Sequence, residues 1–188
     1  MKIIKITLCA IVAAAVIFGI ISCVNVNARF PQPESIQRSI GEPIIIDEVS
    51  ITVDNAQVFR FFDFIKEFNY EKQSVMQGIA EQYDIQICII NITLKNTADH
   101  AVPVPFIPYS VIECGAYSNG CDAELLEDLN SVENLIDDLS PGEERTIILP
   151  FSIYANLLPG YKNDLINLSS YELVFSTYPI KRVVKLSR

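Results

Sequence analysis

Ile85-Gln86-Ile87-Cys88-Ile89-Ile90-Asn91-Ile92-Thr93-Leu94, closed by Lys95-Asn96-Thr97, is the stretch whose reading decides the fold. Five of its first ten residues are isoleucine, a β-branched side chain that suits a pleated surface better than a helix. In its later half Asn91, Thr93 and Lys95 point outward, so Cys88, Ile90, Ile92 and Leu94 face a core.

The same signal recurs on both sides. Pro43–Ile46 is short and β-rich, and Val49, Ile51 and Val53 alternate with Ser50, Thr52 and Asp54. Asn55–Phe59 continues that strand after a small break. Further strands are expected over Tyr109–Glu113, over Thr146–Tyr154 after the Ser140-Pro141-Gly142-Glu143 turn, and over Tyr171–Thr177 and Ile180–Leu186. Helical signals are weaker. Phe61–Tyr70 places Phe61, Phe64, Ile65 and Phe68 on one face, and single turns are expected at Ala123–Leu129 and Asn163–Asn167. Many short strands with turn chemistry between them predict a mainly all-β chain, a two-sheet antiparallel sandwich with short helical insertions.

The N-terminus reads differently. Ile6–Val24 is nineteen residues with nothing more polar than Thr7, Ser22 and two cysteines. As a helix it would rise about 28 Å, near the hydrocarbon thickness of a bilayer. Lys2 and Lys5 precede it and orient the rest of the chain outward. Three readings stay open: an uncleaved single-span transmembrane helix, a lipoprotein signal with Cys23 lipidated after Ile20-Ile21-Ser22, and a plain secretion signal. All three put the remainder outside the cytoplasm. The expected organisation is an anchor or signal over 1–24, a polar stalk over 25–34 with Pro31 and Pro33, and an extracellular domain over 35–188.

Charge follows the same division. The chain carries −9, and without Lys2 and Lys5 residues 25–188 carry −11. Such a domain is a poor ligand for nucleic acid or anionic lipid; it could suit basic partners or cations, but high negative charge is more often a solubility feature. The acidic run Asp122, Glu124, Glu127, Asp128, Glu133, Asp137, Asp138, Glu143, Glu144 contains no Lys or Arg and no calcium-loop pattern, so it reads as a solvated face, with a weak cation site near Asp137-Asp138 as the alternative.

Candidate site residues come from the cysteines and the aromatics. Cys88 points inward and is expected as a buried free thiol. Cys114 and Cys121 flank Gly-Ala-Tyr-Ser-Asn-Gly and form a candidate disulfide if Asn119-Gly120 is the turn of a hairpin. Their spacing is not a zinc spacing, and no metal is expected. Phe59, Phe61, Phe62, Phe64, Phe68 and Tyr70 cluster within twelve residues. They read first as core; if Phe61 or Phe62 is exposed it reads as a binding residue, with Tyr109 and Tyr117 as a second candidate surface. The chain has one histidine, His100, and no nucleophile elbow, Ser-x-x-Lys pair, phosphate loop or dinucleotide fingerprint, so no cofactor and no enzyme activity are expected. Asn91-Ile92-Thr93 and Asn167-Leu168-Ser169 match glycosylation acceptors by chance composition.

Taken in order, further short pieces carry a family resemblance. They are Asn27-Ala28-Arg29-Phe30-Pro31, Ser39-Ile40-Gly41-Glu42, Val49–Val53, Ile89–Asn96, Ala116-Tyr117-Ser118-Asn119-Gly120, Leu139-Ser140-Pro141-Gly142-Glu143-Glu144, Leu149-Pro150-Phe151 and Tyr178-Pro179-Ile180. Together they resemble the membrane-anchored, immunoglobulin-like domains of unknown function on the surface of Gram-positive bacteria. The resemblance implies an immunoglobulin-like sandwich outside the membrane; it implies no activity and supplies no catalytic residue. The expected function is a non-catalytic cell-surface binding or structural module for another envelope protein or a wall component. The alternatives are a lipoprotein subunit of a transport or sensing complex and a wall-directed hydrolase working with carboxylates.

Overall fold

The computed structural model describes residues 2–29, 33–70, 76–104, 109–158, 160–162 and 164–187, with side chains in the first helix described at 12, 15–26, 28 and 29. Residues 30–32 of the expected stalk and Asn163 of the expected helical turn lie outside them. The chain divides into two units, Met1–Glu34 and Ser35–Arg188. The first is the helix α1, Lys2–Arg29, which continues through the start of the expected stalk because the first proline comes only at Pro31. Among the described residues no helix is long and apolar enough to cross a membrane.

The second unit is mostly β, with two sheets stacked as a sandwich. Its strands are β1 (Glu34–Ser39), β2 (Pro43–Ile46), β3 (Val49–Arg60), β4 (Ile85–Asn96), β5 (Val111–Cys114), β6 (Tyr117–Gly120), β7 (Glu144–Tyr154), β8 (Glu172–Ser176) and β9 (Ile180–Lys185). One sheet runs β1-β9-β8-β5-β6 and the other β2-β3-β4-β7. Between them lies the main core. Cys88, Ile90, Ile92 and Leu94 of β4 meet Ile147, Leu149, Phe151 and Ile153 of β7 and, from the other sheet, Ile112, Leu173, Phe175 and Val184.

β4 is buried on its second face as well. Ile85, Ile87 and Ile89 pack against a helical layer made by α2 (Phe61–Phe68), α3 (Met76–Tyr83) and α4 (Ala123–Leu129). Every residue from Ile85 to Ile90 is therefore buried, and alternation begins only at Asn91. The helices form a third layer with its own core, in which Phe61 and Phe64 of α2 are buried as their spacing predicts. Phe64 is its centre, with Phe68 and Tyr70 at ring distances of 4.9 and 5.7 Å. Tyr70 donates to Asp128 at 3.0 Å, tying the segment after α2 to α4. Asn69 ends α2 in the left-handed conformation at φ 48, a position asparagine tolerates.

The break expected after Val53 is a β-bulge. Val53 pairs with Ile92 and Asn55 with Asn91, leaving Asp54 as the extra residue. The extra residue reverses the parity of β3. Before it Val49, Ile51 and Val53 face the main core; after it Ala56 and Val58 do, and Phe59 turns to the helical layer. Polar neighbours on β4 accept the irregularity: Asn91 donates to Asn55 at 2.9 Å and Thr93 to Asp54 at 2.8 Å.

β7 is an edge strand, and its outward backbone groups are satisfied by the segments that lead into and out of α4. Asn130 both donates to the Ile148 carbonyl and accepts from its N–H, each at 2.9 Å. The Asp122 N–H donates to the Pro150 carbonyl at 2.9 Å, and the Asn119 amide donates to the Ser152 carbonyl. Pro150 sits at an outward position of the edge, where its missing N–H removes no ladder bond. Asn130→Ala removes both partners of Ile148. It should lower unfolding free energy by about 1–3 kcal/mol, read as a lower urea midpoint at unchanged m-value.

Candidate functional site: a tyrosine-lined groove

The start of β4 places one polar side chain, Gln86, among isoleucines on the face that looks toward the other sheet. It is fully buried, and a buried amide must be hydrogen-bonded. It finds its partners in the connection after β7. Its Nε2 donates to the Asp164 carbonyl at 2.9 Å and to the Tyr161 hydroxyl at 3.1 Å, and its Oε1 accepts from the Ile166 N–H at 2.9 Å. The Tyr161 hydroxyl donates in turn to the Asp84 carboxylate. A polar latch thus holds a strap, the described residues of 155–170, against the end of the sandwich.

The strap buries Ala155 and packs Leu158, Ile166 and Leu168 against the main core, but leaves two apolar residues outside. Leu157 is 66% and Leu165 52% exposed, while the fully buried group beneath is the Gln86 amide. Between the strap and the β5–β6 hairpin lies a groove of about 640 Å³, lined by Tyr117, Tyr161, Tyr171, Leu157, Leu165 and Cys114 among others. Tyr117 and Tyr171 meet edge to face at 6.3 Å. Burial, with the Cys114 thiol next, pushes the Tyr171 phenol up to about 12, and burial pushes Tyr117 up against the opposing effect of the Asn119 amide. Both phenols are therefore neutral at neutral pH; the Tyr117 hydroxyl is buried without a hydrogen-bond partner among the described residues. The Cys114 thiol donates to the Ser170 hydroxyl at 3.4 Å. Of the described lining residues only Asp164 bears a carboxylate.

A second concavity of about 730 Å³ shares Asn167 with the groove and is walled largely by amides and hydroxyls such as Asn55, Gln57, Asn91 and Ser169. Three of its amides are engaged, Asn91 with Asn55 and Asn167 with the Ser169 N–H, each at 2.9 Å. The tyrosine-lined groove, with exposed leucines at its rim, is the stronger binding surface on the physical criteria of apolar area and convergent polar groups.

The residues expected from sequence separate. Tyr117 and Cys114 line the groove. Phe61 does not belong to a binding surface: it is 4% exposed, because its position on α2 points into the helical layer. Phe62, on the outer side of the same helix, is 52% exposed, and Tyr109 is 78% exposed. Cys23 is exposed on α1. Cys114 and Cys121 are both free thiols rather than a disulfide. The hairpin turns at Gly115-Ala116, so Cys114 pairs with Tyr117 at the turn, while Cys121 lies beyond the far end, where its N–H meets the Ser110 carbonyl. Asn119-Gly120 lies inside β6. Burial pushes both Cys88 and Cys121 up to about 12, which keeps them as inert thiols.

Two further features depend on neighbouring groups. The carbonyls of Asp137 and Asp138 already face a cation, since Arg145 donates to them at 2.8 and 3.3 Å. Among the described residues no group of three or more His, Cys, Asp or Glu side chains is placed to hold a metal ion. His100 is exposed, 3.2 Å from Asp99 and 3.1 Å from Glu48, and the Asp99 hydrogen bond followed by the Glu48 charge raises its pKa.

Sequence reading missed Gln86, Tyr161, Tyr171, Leu157 and Leu165. One signal was present: Gln86 is the single polar residue in Ile85–Ile90.

Residues 40–182 match the family described as domain of unknown function (DUF5028). Among curated proteins no match was found. Several solved structures are similar. The yjhA protein of Bacillus subtilis has 14% identity and a TM-score of 0.49, over 79% of this chain and 98% of that one. An uncharacterized beta-sandwich protein of Clostridium difficile has 16% identity and a TM-score of 0.47, over 82% of this chain and 96% of that one. A functionally unknown protein of Listeria monocytogenes has 10% identity and a TM-score of 0.48, over 72% of this chain and 71% of that one.

Gln86→Leu keeps the volume of the side chain and strands the Ile166 N–H and the Asp164 carbonyl. The strap should come free: amide exchange at Ile166 accelerates to that of an open loop, and unfolding free energy drops by about 1–3 kcal/mol. A variant whose Ile166 amide stays as protected as in the wild type would show that the latch is not what holds the strap.

Proposed function

The chain belongs to the DUF5028 family, and we propose that it is a non-catalytic binding module displayed outside the cell. In this reading the domain is an immunoglobulin-like sandwich that engages another envelope protein or a wall component through the tyrosine-lined groove. One observation carries the reading: the strap hides a fully hydrogen-bonded amide and turns Leu157 and Leu165 to solvent. Exposed aliphatic side chains on a fixed frame lose free energy in water and regain it when a partner covers them, about 1.5–3 kcal/mol for a fully buried leucine. Phenols beside them supply orientation without charge. A single carboxylate in the lining, Asp164, does not provide the facing pair that carboxylate-dependent glycoside hydrolysis uses.

Display outside the cell rests on the sequence. Ile6–Val24 is apolar over nineteen residues behind Lys2 and Lys5, which supports an uncleaved anchor. The order Ile20-Ile21-Ser22-Cys23 supports a second reading, a lipoprotein carried on Cys23 that serves a transport or sensing complex.

Two measurements test this. The intact mass of the detergent-extracted protein should be that of the uncleaved chain; a chain beginning at Cys23 with added acyl mass would replace the anchor with the lipoprotein. A photo-crosslinking residue at Leu165 in living cells should give one discrete adduct that disappears when Tyr171→Ala opens the groove. The same residue at exposed Tyr178 serves as the control. Equal adducts at both positions, or none at Leu165, would sink the groove as the binding site.

A further inference from the structure

The negative charge of the chain is concentrated in one region. Residues 122–161 hold nine acidic side chains and one basic one, Arg145, and so account for eight of the nine net negative charges. Four of the nine carboxylates are occupied. Asp122 caps α4 and accepts from Ser152 at 2.6 Å, Asp128 accepts from Tyr70, Glu143 holds Arg145 at 2.6 Å, and Glu144 pairs with Lys95 at 2.7 Å. Glu124, Glu127, Glu133, Asp137 and Asp138 are exposed.

The short helix α5, Val132–Ile136, lies within this region. Its inner side packs Leu135 against the main core. Arg145, with a side chain only 11% exposed, donates to the Asn134 carbonyl at 3.2 Å and the Asp137 carbonyl at 2.8 Å, which fixes the end of the helix to β7. The one local cation is thus spent on the inside. On the outer side Val132 and Ile136 stand four residues apart on one face and are 58% and 73% exposed. A single exposed aliphatic residue is ordinary. Two on one face of a pinned helix, flanked by unpaired carboxylates, form a prearranged contact point.

We propose that this face of α5 docks a basic amphipathic protein segment, whose apolar side chains cover Val132 and Ile136 while its Lys or Arg residues meet Glu133, Asp137, Asp138 and the acidic residues of α4. Charge decides the occupant. A polyphosphate, an anionic bilayer or a second copy of this equally acidic chain is repelled, whereas a cationic segment is drawn in. The surface is distinct from the groove, so its failure leaves the groove untouched.

The test uses the full chain in nonionic detergent and a labelled fourteen-residue peptide of repeating Lys-Leu-Leu-Lys, read by fluorescence anisotropy. Peptide with serine in place of leucine, and detergent alone, are the controls. The wild type should bind the leucine peptide, and raising salt from about 50 to about 500 mM should weaken binding about tenfold or more. Val132→Ser with Ile136→Ser should weaken it about tenfold at low salt with an unchanged circular dichroism spectrum. Leu165→Ser, in the groove, should leave it unchanged. No binding overturns the proposal. So does equal binding by the serine peptide or by the double variant, which would mean attraction by net charge alone, and so does a loss caused by Leu165→Ser.

Discussion

A strand with no exposed side chain for six consecutive residues is a constraint on everything around it. Ile85–Ile90 of β4 has isoleucines on both faces, and each must be covered for the strand to be stable. One face is covered by the second sheet, the other by α2, α3 and α4. The two cores are therefore separated by one strand's thickness and share its backbone. This arrangement explains why the bulge at Asp54 matters: β3 pairs with β4 along its length and must send Ala56 and Val58 to one core and Phe59 to the other. It also explains the aromatic density of Phe59–Tyr70, which apart from exposed Phe62 fills a second core.

The groove depends on the same strand through a polar exception. Where sheet-on-sheet cover ends, β4 presents Gln86 instead of a sixth isoleucine. Its amide can be buried only by recruiting backbone from elsewhere, and Asp164 and Ile166 are that backbone. The strap is fixed by these hydrogen bonds together with Leu158, Ile166 and Leu168, which pack against the main core, while Leu157 and Leu165 stay exposed at the groove rim. The opposite solution appears at the β7 edge. There Asn119, Asp122 and Asn130 satisfy outward backbone groups and close the edge against pairing with another chain.

Strands whose one face meets solvent were legible from alternation, β4 beyond Asn91 and β3 before the bulge; β7, buried from Leu149 to Ile153, was legible from the Pro-Gly turn before it. α2 was legible because Phe61, Phe64, Ile65 and Phe68 repeat with the helical period. β1 was not, since Glu-Ser-Ile-Gln-Arg-Ser has one apolar residue and is exposed along nearly its whole length. α3 was not, since Met-Gln-Gly-Ile-Ala-Glu-Gln-Tyr contains a glycine and no clear stripe. Asn119-Gly120 is the stronger local turn signal, but pairing of β5 with β6 and β8 sets the register that puts Gly115, at φ 59, in the turn instead. The groove joins residues more than forty positions apart, such as Tyr117 and Tyr161, so no local pattern could reveal it.

Ile89 and Ile90 are neighbours in sequence that serve different cores, Ile89 the helical layer and Ile90 the sandwich. The most direct measurement is equilibrium urea unfolding of Ile89→Ala and Ile90→Ala, followed by both far-ultraviolet circular dichroism and tyrosine fluorescence. If β4 binds both layers into one cooperative unit, each substitution lowers unfolding free energy by about 2–5 kcal/mol, and the two probes report one shared transition. An Ile89→Ala protein that loses its helical signal in a separate, earlier transition, with the β-sheet transition unmoved, would contradict the account.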